Sequence, residues 1–148
     1  MITTYDTAIE EGQIRNLMND WVKAIRAKDC DTLMSNYAPG VLLFDLITPL
    51  QYVGSEAGRQ RMEEWFGSFR GPIEFETRNL SITAGDDVAF CHSLNRVSGT
   101  MTDGENVDMW WRATVCFRKI GGRWMIAHEH SSVPFDTETG RASLDLKP

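Results

Sequence analysis

Six side chains in this sequence could carry chemistry by type and place: Asp45, His92, Arg96, Arg112, His128 and His130. Asp45 sits inside the apolar run VLLFDL, between Phe44 and Leu46. Burying a carboxylate is costly unless it is paired or protonated, and burial raises its pKa toward that of a useful general base. The alternative is an aspartate at a strand end that faces solvent or caps the turn at Thr48. His128 and His130 lie in RWMIAHEHSS, where a regular strand puts Trp124, Ile126, His128, His130 and Ser132 on one face. That face runs from core to polar, which predicts a pocket holding both imidazoles. The alternative is two core-edge histidines bonded to backbone groups.

Two histidines one residue apart could also ligate a metal, but a site needs a third ligand, such as His92 or Asp45. The expectation is a cofactor-free, metal-free pocket. His92, Leu94 and Arg96 alternate on one face of another strand. Arg96 or Arg112 could hold an anionic group of a small organic ligand by a bidentate bond. The alternative for each is a cross-strand ion pair on the outer face.

These side chains must be positioned by strands. Two β-prone runs within Val107–Phe135 flank Gly121-Gly122, a hairpin signal. With a strict two-residue turn, Val115 lies opposite His128 and Ala113 opposite His130. With a three-residue turn, Thr114 and Arg112 face the histidines. Bulges are expected in strands this long, so the register stays open. Two further strands are predicted over Ile73–Ala84 and Val88–Thr100, and a short one over Val41–Leu46. Trp110 and Trp111 are adjacent, so one of them must leave the core, which suggests a subunit contact.

Helices come first in the chain. Ile14, Leu17, Met18, Trp21 and Ile25 recur at helical spacing, with Thr7 and Glu10 as a capping box. Asp29 caps a short second helix carrying Leu33, Met34 and Tyr37 on its inner face, which Ala38-Pro39-Gly40 ends. Ser55 caps a third, with Met62, Trp65, Phe66 and Phe69 as its stripe and Gly71 as its C-terminal glycine. The class is therefore α+β: a cone-shaped, strongly curved, mostly antiparallel mixed β-sheet packed against three N-terminal helices. Residues 136–148 show no periodicity and are read as coil.

The chain of 148 residues is read as one domain, its core about residues 7–135. A net charge of −6 argues against nucleic acid and against an anionic membrane. No apolar run reaches about 18 residues. The start of the chain lacks a signal-peptide pattern. Three cysteines without metal spacing fit reduced thiols in a cytoplasmic protein.

The order of elements and several residues resemble the SnoaL-like branch of the nuclear-transport-factor-2-like superfamily. Trp21 through Asp29 to Asp45, with Tyr37-Ala38 between, is similar to the family's opening. Gly54 leads into the third helix. Gly99-Thr100, Arg112-Ala113-Thr114, then Trp124 with His128, His130 and Ser132 is similar to its closing strands. The resemblance implies a cystatin-like α+β roll with a small-molecule pocket. In ketosteroid isomerase the catalytic base is an aspartate sixteen residues beyond an acidic residue that matches Asp29, and that position is Asp45. Its tyrosine donor position is Trp21 here, and Arg112-Ala113-Thr114 lacks its second acidic donor. The resemblance implies an isomerase, cyclase or dehydratase, with Asp45, His128 and His130 as catalytic candidates. Trp21, Tyr52, Trp65, His92, Arg96 and Arg112 are the substrate-binding candidates. The closing strands also resemble the association domain of calmodulin-dependent kinase, one of whose pocket arginines falls at Arg96. That implies the alternative of a non-catalytic ligand-binding or assembly module, with a homodimer formed through the sheet.

Overall fold

A computed structural model describes residues 6–148. Three helices, α1 (Thr7–Arg26), α2 (Cys30–Met34) and α3 (Ser55–Gly67), accompany six strands. The strands are β1 (Tyr37–Phe44), β2 (Tyr52–Val53), β3 (Phe69–Ala84), β4 (Val88–Met101), β5 (Asn106–Ile120) and β6 (Arg123–Ser132). They form one curled, unclosed sheet in the order β2-β1-β6-β5-β4-β3. Only β1–β6 is parallel. The fold is the expected α+β roll with a mixed sheet.

One sheet face is packed against the helices. Burial alternates along β4, where Ala89, Cys91, Ser93, Asn95 and Val97 are buried. Ala113, Val115 and Phe117 of β5 continue that layer. The apolar stripe of α1, Ile14, Met18, Trp21 and Ile25, closes it as its spacing predicts. Polar bonds fix both ends of α1. Glu10, buried near its start, accepts from Trp124 Nε1 (2.6 Å) and Lys119 Nζ (2.7 Å) across the hairpin. Near its end, Arg26 donates twice to the Phe75 carbonyl (2.9 and 2.7 Å). Asp6, rather than Thr7, caps the helix, since its carboxylate accepts from Ala8 and Ile9. Glu10 is occupied elsewhere, so the capping box does not form.

The other boundaries also moved for local reasons. Tyr37 opens β1 instead of closing α2, and Pro39-Gly40 lies inside the strand. The β1–β6 register shifts between Tyr37 and Leu42, an irregularity that tolerates a proline without an N–H. Gly54 is the cap residue of α3, and Ser55 makes no side-chain cap bond. That helix ends at Gly67, so Phe69 belongs to β3 and Gly71, at φ 83°, lies where the β3–β4 pairing shifts. The tail makes one isolated bridge, Phe135 to Ala142. Among the described residues, no helix is long and apolar enough to cross a membrane.

Candidate functional site

The site is decided by one extra residue in β6. From the Gly121-Gly122 turn, Ile120 pairs with Arg123 and Phe117 with Ile126, as a two-residue turn requires. The next pair is Cys116 with His128, so Ala127 has no opposite partner. This bulge inverts the side-chain alternation. Trp124 and Ile126 face the core, as expected. Beyond the bulge Glu129 and Ser131 face inward, while His128 and His130 face out. The turn has two residues, yet Thr114 ends opposite His130 and Arg112 opposite Ser132.

The inward residues line a cavity of about 120 Å³ between the sheet and helices α1 and α3. Its walls are mostly aromatic and aliphatic, with Trp21, Trp65, Phe75 and Trp111 prominent. The rings pack edge to face: Trp21 on Phe75 at 5.4 Å and Phe75 on Trp111 at 5.6 Å. Helix α3 brings its face here because Gly58 lets it lie against β1. A β-carbon at Gly58 would meet Leu43 Cδ1 at 3.0 Å. Arg61, Met62 and Trp65, three, four and seven residues further on, share that face.

A chain of three polar groups runs through the apolar wall. Trp21 Nε1 donates to Tyr37 Oη (2.9 Å), and the Tyr37 hydroxyl donates to Glu129 Oε1. Tyr37 is 5% exposed, and burial pushes its hydroxyl well above the usual range, so it keeps its proton and donates. Glu129 retains some accessible surface because its carboxyl borders the cavity. Its surroundings are otherwise apolar, and this desolvation raises its pKa to about 7. The Tyr37 bond opposes that rise, and the charge of Asp45 adds to it. Oε2 makes no hydrogen bond among the described residues.

Asp45 lines the cavity as expected, but not as an isolated carboxylate. Its Oδ2 accepts from Arg61 Nε at 2.8 Å and its Oδ1 from the Leu46 N–H at 2.6 Å. Among the described residues, Arg61 is the single cationic one lining the cavity.

The expected site residues therefore divide. Asp45, Trp21 and Trp65 meet in the cavity. Trp21 uses its N–H on Tyr37 rather than on the cavity. Tyr52 bonds the Thr48 carbonyl at 3.2 Å and is not part of the lining. His128, His130, His92, Arg96 and Arg112 lie on the outer face, which corrects the pocket assigned to them. His128 Nδ1 is bonded to the Leu42 carbonyl at 2.6 Å, and both imidazoles pack on Phe44. His92 and Arg112 are exposed, and Arg112 donates to Ser132 Oγ at 3.1 Å. Arg96 pairs with Asp108 (2.7 Å) and Glu76 (3.2 Å), the cross-strand alternative. Asp45 lies on the opposite face from the histidines, so it cannot be their third ligand, and outward-facing His92 does not complete a set with them either. Among the described residues no group of three His, Cys, Asp or Glu could hold a metal.

Glu129, Tyr37, Arg61 and Asn95 were not anticipated. The usable signal was Glu129 itself, a carboxylate between two histidines in a strand where a bulge was expected.

The sequence matches the SnoaL-like domain over residues 14–136. The chain belongs to the SnoaL-like family of the nuclear transport factor 2-like superfamily. A Pseudomonas putida protein of unknown function from that superfamily is 39% identical, with a TM-score of 0.88 over 96% of this chain and 99% of that one. A ketosteroid isomerase-like protein from Erwinia carotovora atroseptica shares the fold at 18% identity, TM-score 0.71, covering 83% and 95% of the two chains. A protein of unknown function with a cystatin-like fold from Nostoc punctiforme does so at 19%, TM-score 0.72, covering 88% and 96%. None of the curated proteins matches this sequence.

Proposed function

We infer that this protein binds a small organic molecule in the cavity and moves a proton on it without a cofactor, as an isomerase, cyclase or dehydratase does. The carrying observation is Glu129, a carboxyl with one oxygen on the Tyr37–Trp21 chain and the other unbonded at an apolar cavity. A group that titrates near neutral pH can both take and return a proton. Asp45, held by Arg61, is the second carboxyl of the site. Two carboxyls in unlike surroundings are a recurrent acid–base arrangement. The reading thus moves the principal role from Asp45 to Glu129 and takes the histidines out of the chemistry. An anionic group on the ligand would meet Arg61 rather than Arg96 or Arg112.

The second reading is a binding or assembly module without chemistry. It is favoured by the outer sheet face, where Val88 and Phe90 are 56% and 45% exposed. A homodimer through that face suits either reading.

The test is hydrogen exchange. Single-ring ketones are incubated with the protein in D₂O, and loss of α-protons is followed by NMR. Exchange above the buffer rate that falls by orders of magnitude in Glu129→Gln supports the enzyme. Saturable binding with no exchange supports the module.

A further inference from the structure

Asn95 is 2% exposed and lines the cavity from β4. The hydroxyls of Thr77 and Ser93 both donate to its Oδ1, each at 3.1 Å. In the structure these two bonds go to the carbonyl end of the amide, which leaves the Nδ2 end to be accounted for. Nδ2 has no hydrogen-bond partner among the described residues. Yet no fully sealed side-chain nitrogen or oxygen among them lacks a partner. Nδ2 must therefore border open space, and the open space beside Asn95 is the cavity.

A buried donor without a partner is costly, and an aliphatic residue at this position would avoid that cost. The amide N–H pair can give hydrogen bonds but accept none. Trp111, the cross-strand partner of Asn95, lines the same cavity with its indole. Size limits the guest. The cavity is about 120 Å³, whereas an apolar cavity of about 150 Å³ takes up one benzene.

We propose that Asn95 determines specificity in this cavity, holding a molecule of about one ring through an oxygen that accepts from Nδ2–H. The guest class is a monocyclic compound carrying a lone-pair acceptor such as a carbonyl. The proposal rests on the cavity being a ligand site, as above, but not on the proton chemistry of Glu129.

Cyclopentanone and methylenecyclopentane test it, since they share a shape no larger than one benzene ring and differ in C=O against C=CH₂. Each is titrated into the full chain at pH 8 by tryptophan fluorescence, in the parent and in Asn95→Asp. That variant keeps the acceptor for Thr77 and Ser93 and removes both donors. The ketone is expected to bind the parent about ten- to a hundredfold more tightly, the discrimination a buried donor supplies. The preference should vanish in Asn95→Asp. In the parent, the side-chain amide protons of Asn95, assigned by triple-resonance NMR, should move downfield with the ketone and not with the alkene. This reading stands even if the variant does not fold. Equal binding by the parent, a preference that survives in Asn95→Asp, or an unmoved amide signal overturns the proposal and leaves the Glu129 reading intact. Failure of both probes to bind overturns the proposal and the ligand cavity together.

Discussion

His128 and Glu129 are consecutive in the chain, yet His128 is bonded to the outer-face backbone at Leu42 and Glu129 borders the cavity. Ala127 makes the difference. Without the bulge the cavity would receive His128, a neutral or cationic ring. With it the cavity receives a carboxyl group beside Tyr37. One unpaired residue thus selects the acid–base group of the site, and long bent strands are where such residues occur.

Substituting Glu129 by Gln should change how stability depends on pH. The carboxyl is raised from 4.5 to about 7 in the fold, so the folded chain holds this proton more tightly than the unfolded one. Stability from this group is fully present below pH 4.5 and is lost as pH rises toward 7. The integrated loss is on the order of 3 kcal/mol. Glu129→Gln removes it, so the variant should gain on the parent from pH 5 to pH 8. Thermal melts at both values check this. A gap that is constant with pH would show that Glu129 is not raised.

How far the sequence carried is clear from particular residues. The α1 stripe and the Gly121-Gly122 turn were legible because periodicity and turn chemistry are local. Asp45 was named as a site candidate from its apolar flanks and the family resemblance, and Trp21 and Trp65 from that resemblance; all three line the cavity. Glu10 was misread because its partners, Lys119 and Trp124, are far along the chain while the capping pattern is near. Tyr37 was misread because Pro39-Gly40 resembles a helix stop, and only pairing with β6 draws it into a strand. The histidines were misread because strict alternation carries no mark of a bulge. The site lies where those tertiary effects meet, so it was less legible than the fold.

Tyr37→Phe should separate the two ends of the polar chain. It removes the bond that favours charged Glu129, so the Glu129 midpoint should climb above about 7. It also strips the buried Trp21 N–H of its acceptor, which should cost about 1–3 kcal/mol. Carboxyl ¹³C titration and a melt measure these effects. A midpoint that falls would contradict the assigned direction of the bond.

The sheet face bears on assembly. Trp110 did leave the core, as expected of one of the two adjacent tryptophans, but Arg78 covers its ring at 4.7 Å and Arg96 reaches it at 5.9 Å. The apolar surface left for a second copy therefore centres on Phe90, which pairs with Cys116. Light scattering at micromolar concentration should give at least a dimer, and Phe90→Glu should give a monomer. A monomeric parent would refute a dimer through this face.

Asp45→Asn distinguishes the two carboxyls. Read from sequence alone, removing an isolated buried charge should leave the protein at least as stable. The structure reverses that expectation, because Asp45 is paired with Arg61, whose side chain is 13% exposed. Removing one partner leaves a largely enclosed cation, at a cost of about 1–3 kcal/mol after allowing for the surface the pair retains. The variant should therefore melt below the parent. It should also move Glu129, since the charge of Asp45 helps raise that group. Without it, the Glu129 midpoint should shift from about 7 toward the ordinary carboxylate range. If Glu129 carries the proton, exchange on a ketone probe persists in Asp45→Asn and its pH profile moves to acid with that midpoint. If Asp45 is the base, exchange falls by orders of magnitude at every pH while the probe still binds. Measuring melt, midpoint and exchange on this one variant separates the roles, because only a base function of Asp45 would abolish exchange without displacing its profile.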